Sequence, residues 1–237
     1  MFNPSQRHQF QARATAAKRG EILFYGDVGP SDWGMIDEKT FADALKGMGD
    51  VEVIDLRINS AGGSAFSGLA IYNQLMRHPA RIEVSVDGLA ASIASVIAMA
   101  GDDVRMGEGS QMMIHDASVF AWGNADELRR NADLLDSISG DLAAIYARRT
   151  GRPVAEMRDL MKAETWFTAE EAFKAGLADT VVEDATAQAH LEPVEAARFR
   201  HPPKALLTPR QTVDQTVARA RIAAIAQKTG HRAKAGA

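Results

Sequence analysis

The chain has 237 residues, 46% of them hydrophobic and 24% charged, with a formal net charge of −4; that balance can bury a sizeable core and excludes a compositionally disordered protein. The absence of cysteine excludes a disulfide framework, thiolate metal sites and a cysteine nucleophile. No window approaches about 18 uninterrupted apolar residues, and the opening MFNPSQRHQFQARATAAKRG lacks the apolar stretch of a secretory signal, so a soluble, cytoplasmic protein with no membrane partner is expected.

In chain order, residues 1–20 read as an N-terminal extension. EILFYGDV (21–28) and VEVIDLRIN (51–59) read as strands, with IDEKTFADALKGM (36–48) a helix between them. SAGGSAFSGLAIYNQLMRH (60–78) reads as a glycine turn followed by a helix with Leu69, Tyr72, Leu75 and Met76 at core spacing. RIEVSV (81–86) and QMMIH (111–115) are two more strands, and the small-residue stretch LAASIASVIAMAG after Asp87-Gly88 is a helix with Ser92 in its first turn. NADELRRNADLLDSISGDLAAIYARRTG (124–151) is a long helix closed by Gly151, whose narrow seam Leu128, Leu135, Ile138, Leu142 and Ile145 suits packing on another helix. TAEEAFKAGLADTVVE (168–183) is a short helix and a strand, with Thr168 and Glu171 at capping-box spacing. The alternation of strand and helix gives an α/β class built from stacked ββα or βαβ units over 21–184.

Residues 185–237 form a tail with nine basic and three acidic residues, a net of +6, against −10 for the rest of the chain. Pro193, Pro202, Pro203 and Pro209 interrupt it before a last helical stretch, TVDQTVARARIAAIAQK. Such a tail is either a solvated extension or a docking segment for an acidic partner or nucleic acid.

Three features carry chemistry. Bulk is missing around Ser92, so a substrate backbone can approach its hydroxyl at a helix start, where amides are unpaired and the dipole favours an oxyanion; taken alone, the stretch reads more readily as close packing. Ser95, one turn deeper, reads as packing. A serine needs a general base; taken singly, His115 at a strand end reads more readily as a satisfied surface or core residue, but a strand pairing near the end of RIEVSV would bring it toward Ser92. A third, acidic group would hold the imidazole tautomer; Asp159, Glu164 and Asp116 all qualify by type, and spacing does not choose among them. The turn NSAGGSAFSG can present amides to a ligand backbone, yet it is neither a Walker A loop nor G-x-G-x-x-G. No metal or cofactor is implied.

INSAGGSAFSGLAIYNQL, DGLAASIASVIAMAG, QMMIHDA and TWFTAEEAFKAGLAD occur in the order and approximate spacing of the Clp protease proteolytic subunit family (ClpP) and of its phage relatives, the head maturation (prohead) proteases. The chain resembles them over about 21–183. The resemblance implies a ClpP/crotonase-type fold of stacked ββα units with a protruding handle helix. It implies a serine peptidase with Ser92 as nucleophile, His115 as base, and Gly63 and Ile93 amides as oxyanion hole. A substrate strand would lie between Gly62, Ser64 and Ala65 on one side and Ala117, Ser118, Val119 and Phe120 on the other. Register before TAEEAFKAG favours Glu164 as the acid, where the family usually has Asp, with Asp159 in reserve; Ser-Ala-Gly-Gly replaces the family's Ser-Pro-Gly-Gly.

The entry GDVGPSDWGMIDEKTFADAL, the ETWFTAEEA stretch and the basic tail are more similar to the phage enzymes. The expectation is therefore an intrinsically ATP-independent endopeptidase cutting scaffold and major capsid precursor in the host cytoplasm or inside procapsids. It would assemble as a homo-oligomeric ring, with rings paired through helix 124–149. Nucleic acid is not expected on the core, only weak contact by the tail. The alternatives are a housekeeping-type ClpP working with an unfoldase, a crotonase-type acyl-CoA enzyme that needs no Ser/His pair, and a catalytically inactive capsid assembly protein. A Ser-Lys signal peptide peptidase is disfavoured, since Lys162 and Lys174 fall in helical surface patterns.

Overall fold

The computed structural model describes residues 9–15, 18–183 and 191–207. Eight strands form one sheet. β1 (Gln9–Ala14) pairs antiparallel with β2 (Arg19–Tyr25), and parallel strands β3 (Val53–Ser60), β4 (Arg81–Ala91), β5 (Asp103–Gly107) and β8 (Thr180–Val182) follow in that spatial order. β4 is long enough to serve two neighbours. Its first half pairs with β5 and its last residues, Leu89–Ala91, with β6 (Gln111–Ile114), which in turn pairs antiparallel with β7 (Thr165–Thr168).

The parallel strands are joined by helices, as parallel pairing requires: α1 (Glu38–Gly47) precedes β3, and α2 (Ala65–Arg77) joins β3 to β4. Alternating residues Ile22 and Phe24, Ile54, Leu56 and Ile58, and Ile82, Val84 and Val86 are buried, the period of two that a pleated strand imposes. α1 starts where the Asp37 carboxylate accepts the Thr40 amide, and α2 where Ser64 accepts that of Ser67. α3 (Ile93–Ala98) is wholly buried. α4 (Ala125–Thr150), α5 (Val154–Lys162) and α6 (Ala169–Ala175) follow; Thr168 and Glu171 make the expected capping box, and α7 (Pro193–Ala196) and a 3-10 turn at Lys204–Leu207 come after β8.

Several expectations are corrected. β4 runs on to Ala91, so Ser92 is the residue before a six-residue helix rather than part of its first turn. Met76 is 51% exposed; the inward face of α2 is Gly68, Ile71, Tyr72 and Leu75. β5, α5 and β7 were not expected: in β5 only Val104 and Met106 of DVRMG alternate inward between charged residues, too short a pattern to read.

The limits 21–184 are too narrow. β1 belongs to the sheet because Phe10 packs on Phe24 and Phe41, with ring centroids 6.3 and 6.0 Å apart. After β8, Leu191, Phe199 and Leu206 are buried against Ala61, Leu89, Ala91 and Met113. One compact unit ends at Leu207 and a second comprises Thr208–Ala237; the helix expected at 212–228 lies outside the described residues.

The seam on α4 divides. Ile138, Leu142 and Ile145 are buried in the chain's own core, whereas Leu135 is only half-buried and Leu128 is exposed, as is Leu134 beside the seam. Only the first half of the helix has a free apolar face, so the narrow seam is explained mainly within the subunit. Leu142→Ala should cost about 2–5 kcal/mol of folding stability and Leu128→Ala less than about 0.5 kcal/mol, read as the difference in urea unfolding midpoints.

Candidate active site

Ser92 sits at the joint between β4 and α3 with φ 56° and ψ −131°, a region that side chains other than glycine rarely occupy and that costs about 1–3 kcal/mol. Surrounding contacts hold it there. Its amide donates to the Met113 carbonyl at 3.0 Å, extending the β4–β6 ladder by one residue, and its carbonyl accepts from the Ser95 amide at 3.0 Å and the Ser95 hydroxyl at 2.6 Å. Ser95 is fully buried and also meets the Met113 carbonyl at 2.9 Å and the Tyr146 hydroxyl at 2.8 Å. Burial pushes the Tyr146 phenol up, which keeps it protonated. Ser95 is thus structural, as expected.

The glycine turn abuts this joint. A Cβ on Gly62 would lie 2.6 Å from the Ala91 carbonyl oxygen and 2.7 Å from the Ser92 Cβ, and one on Gly63 would lie 2.0 Å from the Val28 oxygen. Gly62 and Gly63 have φ of 90° and 144°, so both space and backbone demand glycine. Among the described residues, neither the Gly63 nor the Ile93 amide has a backbone acceptor. A helix as short as α3 adds little dipole, so any oxyanion here depends on the N–H groups themselves.

His115 follows β6, which lies parallel beside the end of β4 with Ala91 opposite Met113. The next residues therefore emerge together, and His115 Nε2 stands 2.8 Å from Ser92 Oγ. Burial pushes the imidazole below its ordinary value; the Glu164 and Asp116 charges oppose that, and Arg200 and Arg198 add to it. A neutral imidazole against a hydroxyl is the arrangement that accepts a proton.

β7 runs antiparallel to β6 with Ile114 opposite Thr165, so extending the ladder by one pair sets Glu164 opposite His115. Glu164 is buried and has φ 53°. Its carboxylate accepts the Arg200 amide at 2.8 Å and the His201 amide at 2.6 Å, with Arg200 Nε 3.9 Å away. Among the described residues no hydrogen bond joins it to His115, so it acts on the imidazole through its charge. Asp159 is exposed on α5 and is not brought to the site; Asp116 pairs with Arg158.

A cavity of about 930 Å³ connects these groups. Ser92, His115, Gly63, Ile93, Ser64, Ala65 and Ala117 to Phe120 all line it, which gathers the sequence-derived candidates except Gly62, buried behind the joint, and the acids. The Ala117 amide donates to Ser139 Oγ at 3.0 Å, tying the segment after the histidine to α4, while Phe120 is fully exposed. Sequence reasoning missed the opposite wall of Trp33, Ala197, Arg198 and Phe199. The one local hint of it is ARFRHPPK, an aromatic among cations in a tail that also carries the isolated apolar residues Leu191 and Leu206. Among the described residues no cluster of side chains suits a metal ion, and no helix is long and apolar enough to cross a membrane.

Two outcomes follow from this geometry. Gly62→Ala should slow fluorophosphonate modification of Ser92 about 100-fold by displacing the joint, measured by adduct mass against time. The neutral imidazole is the reactive form and burial disfavours the charged one, so reactivity should persist as pH falls and decline with a midpoint below about 6.5, the ordinary histidine value. Labelling rates between about pH 5 and 8 read that midpoint.

The Clp protease family model matches residues 40–185. The chain is 34% identical over 131 residues to ATP-dependent Clp protease proteolytic subunit 3 of Rhodococcus jostii, covering 54% of this chain and 65% of that protein. It is 34% identical over 132 residues to the ATP-dependent Clp protease proteolytic subunit of Deinococcus radiodurans, covering 55% and 65%. With subunit 1 of Salinibacter ruber the figures are 30% over 142 residues, 59% and 61%. The chain spans a little less than two thirds of the length of these relatives. Since the matching model covers more than half of the chain, and the fold sets a serine and a histidine in contact at the crossing of β4 and β6, the chain belongs to the Clp protease family.

Proposed function

We propose that the chain is a serine endopeptidase. The observation that carries this reading is the 2.8 Å contact between His115 Nε2 and Ser92 Oγ on a joint held at positive φ. Ser92 Oγ attacks the scissile carbonyl as His115 takes its proton. The oxyanion lies against the Gly63 and Ile93 amides, each donor being worth about 100- to 1,000-fold in rate. His115 then returns the proton to the leaving amine, and the Glu164 charge favours the imidazolium formed on the way. The substrate adds as an extended strand between Ser64–Ala65 and Ala117–Phe120, which line the cavity on either side of Ser92. A crotonase-type reaction would leave the Ser92–His115 contact without a task.

The finer reading is a phage head maturation protease that assembles as a homo-oligomeric ring and cuts scaffold and major capsid precursor. The +6 tail beyond the family match, and the entry and ETWFTAEEA stretches, support it. The exposed Leu128 and Leu134 on the free half of α4 support pairing between copies. A second reading, a peptidase coupled to an unfoldase, is favoured by relatives named as ATP-dependent subunits. Ser92→Ala should lower peptide cleavage by at least about 10⁴-fold and abolish the phosphonate adduct; an adduct elsewhere, with cleavage intact, would refute the assignment. Co-expression with a capsid precursor, without any unfoldase, separates the finer readings: precursor cleaved only by the Ser92 form supports the head protease, and cleavage only after a Clp ATPase is added supports the second.

A further inference from the structure

Residues 191–207 make a strap that the family match, ending at 185, does not include. It is closed on itself by the Leu191 amide donating to the Leu206 carbonyl at 2.9 Å. Its buried side chains Leu191, Phe199 and Leu206 rest on Ala61, Ala91 and Met113. Those three residues belong to the glycine turn, to the position before Ser92 and to the carbonyl that fixes the Ser92 amide. The Phe199 ring stands edge-on to Trp166 with centroids 5.2 Å apart, and 6.1 Å from His115 at a 62° tilt. Arg198 reaches Asp27 at 3.0 Å, and the Arg200 and His201 amides both donate to the Glu164 carboxylate.

We propose that this strap is a built-in part of the reactive centre, with Phe199 as a positioning residue that packs the His115 imidazole while the Arg200 and His201 amides hold Glu164 beside it. The inference rests on the serine peptidase reading. A masking role fits the contacts less well, because Ser92 and His115 still open on the cavity with the strap in place and their hydrogen bond is already formed. Without the Phe199 ring the imidazole loses its packing on one side and gains water. It then spends less time in contact with Ser92, and it charges more readily among Glu164, Asp116, Arg198 and Arg200, the ionisable groups that act on it.

The test uses the full chain and the rate of fluorophosphonate modification of Ser92 as a function of pH, with circular dichroism reporting the fold. Phe199→Ala should slow modification about 10- to 100-fold near neutral pH and move the acid midpoint upward toward the ordinary histidine value, with peptide kcat falling more than KM rises. Phe199→Met, which refills the volume, should restore most of the rate, and it supplies the same pH readout if Phe199→Ala does not fold. Amide exchange at Arg200 and His201 should be slow in the native chain and quicken in Glu164→Ala. An unmoved midpoint with an unchanged rate overturns the proposal, and so does faster modification, which would make the strap a mask. Failure of the native chain to label at Ser92 refutes the peptidase reading instead.

Discussion

The architecture depends on the conformation of one residue. Ser92 occupies a positive φ that its side chain disfavours, and its neighbours are arranged to keep it there: a ladder bond to Met113, two bonds from Ser95, and a glycine turn pressed so close that a single methyl at Gly62 would collide with it. The strain costs about 1–3 kcal/mol, a cost the folded domain carries because the joint turns the hydroxyl out of the sheet into a cleft. The long β4 makes this workable, since its first half is committed to β5 and only its end meets β6. The strand that fixes the Ser92 amide also delivers His115, two residues later.

Electrostatics follows from the same packing. The imidazole is held neutral chiefly by burial, and the carboxylate opposite it is held by backbone amides rather than by the imidazole. The acid therefore stays in place whether or not His115 is charged.

The strands flanking the glycine turn and the capped helix at 168 were legible because each has a local signature, alternation and a Thr-x-x-Glu box; the Ser92–His115 pair was legible only through the ordered set of motifs, since small residues after a strand read alone as close packing. The role of the first half of α4 was legible only in part, since a helical seam looks the same whether it meets its own core, as Ile138 and Leu142 do, or another chain. The strap was not legible as structure. Leu191, Phe199 and Leu206 lie in a proline-broken stretch with no period, and only the three-dimensional sheet makes the surface they cover. Nor could spacing choose among the candidate acids, because Glu164 comes near His115 only through the β6–β7 register, a pairing that exists only after the chain has folded.

The Ser95 hydrogen bond to Tyr146 joins the Ser92 joint to the rooted half of α4, and the other half of that helix is exposed to solvent. From Tyr146 to Ala125 the helix runs roughly 30 Å at 1.5 Å per residue, so it is a lever whose short end is a buried hydroxyl contact. A force that tilted the outer half would bear on the Ser92 carbonyl through the buried Tyr146–Ser95 contact, and on the Ala117 amide through Ser139, which accepts from it. Ser92 and one wall of the cleft are therefore tied by hydrogen bonds to the helix that points away from them.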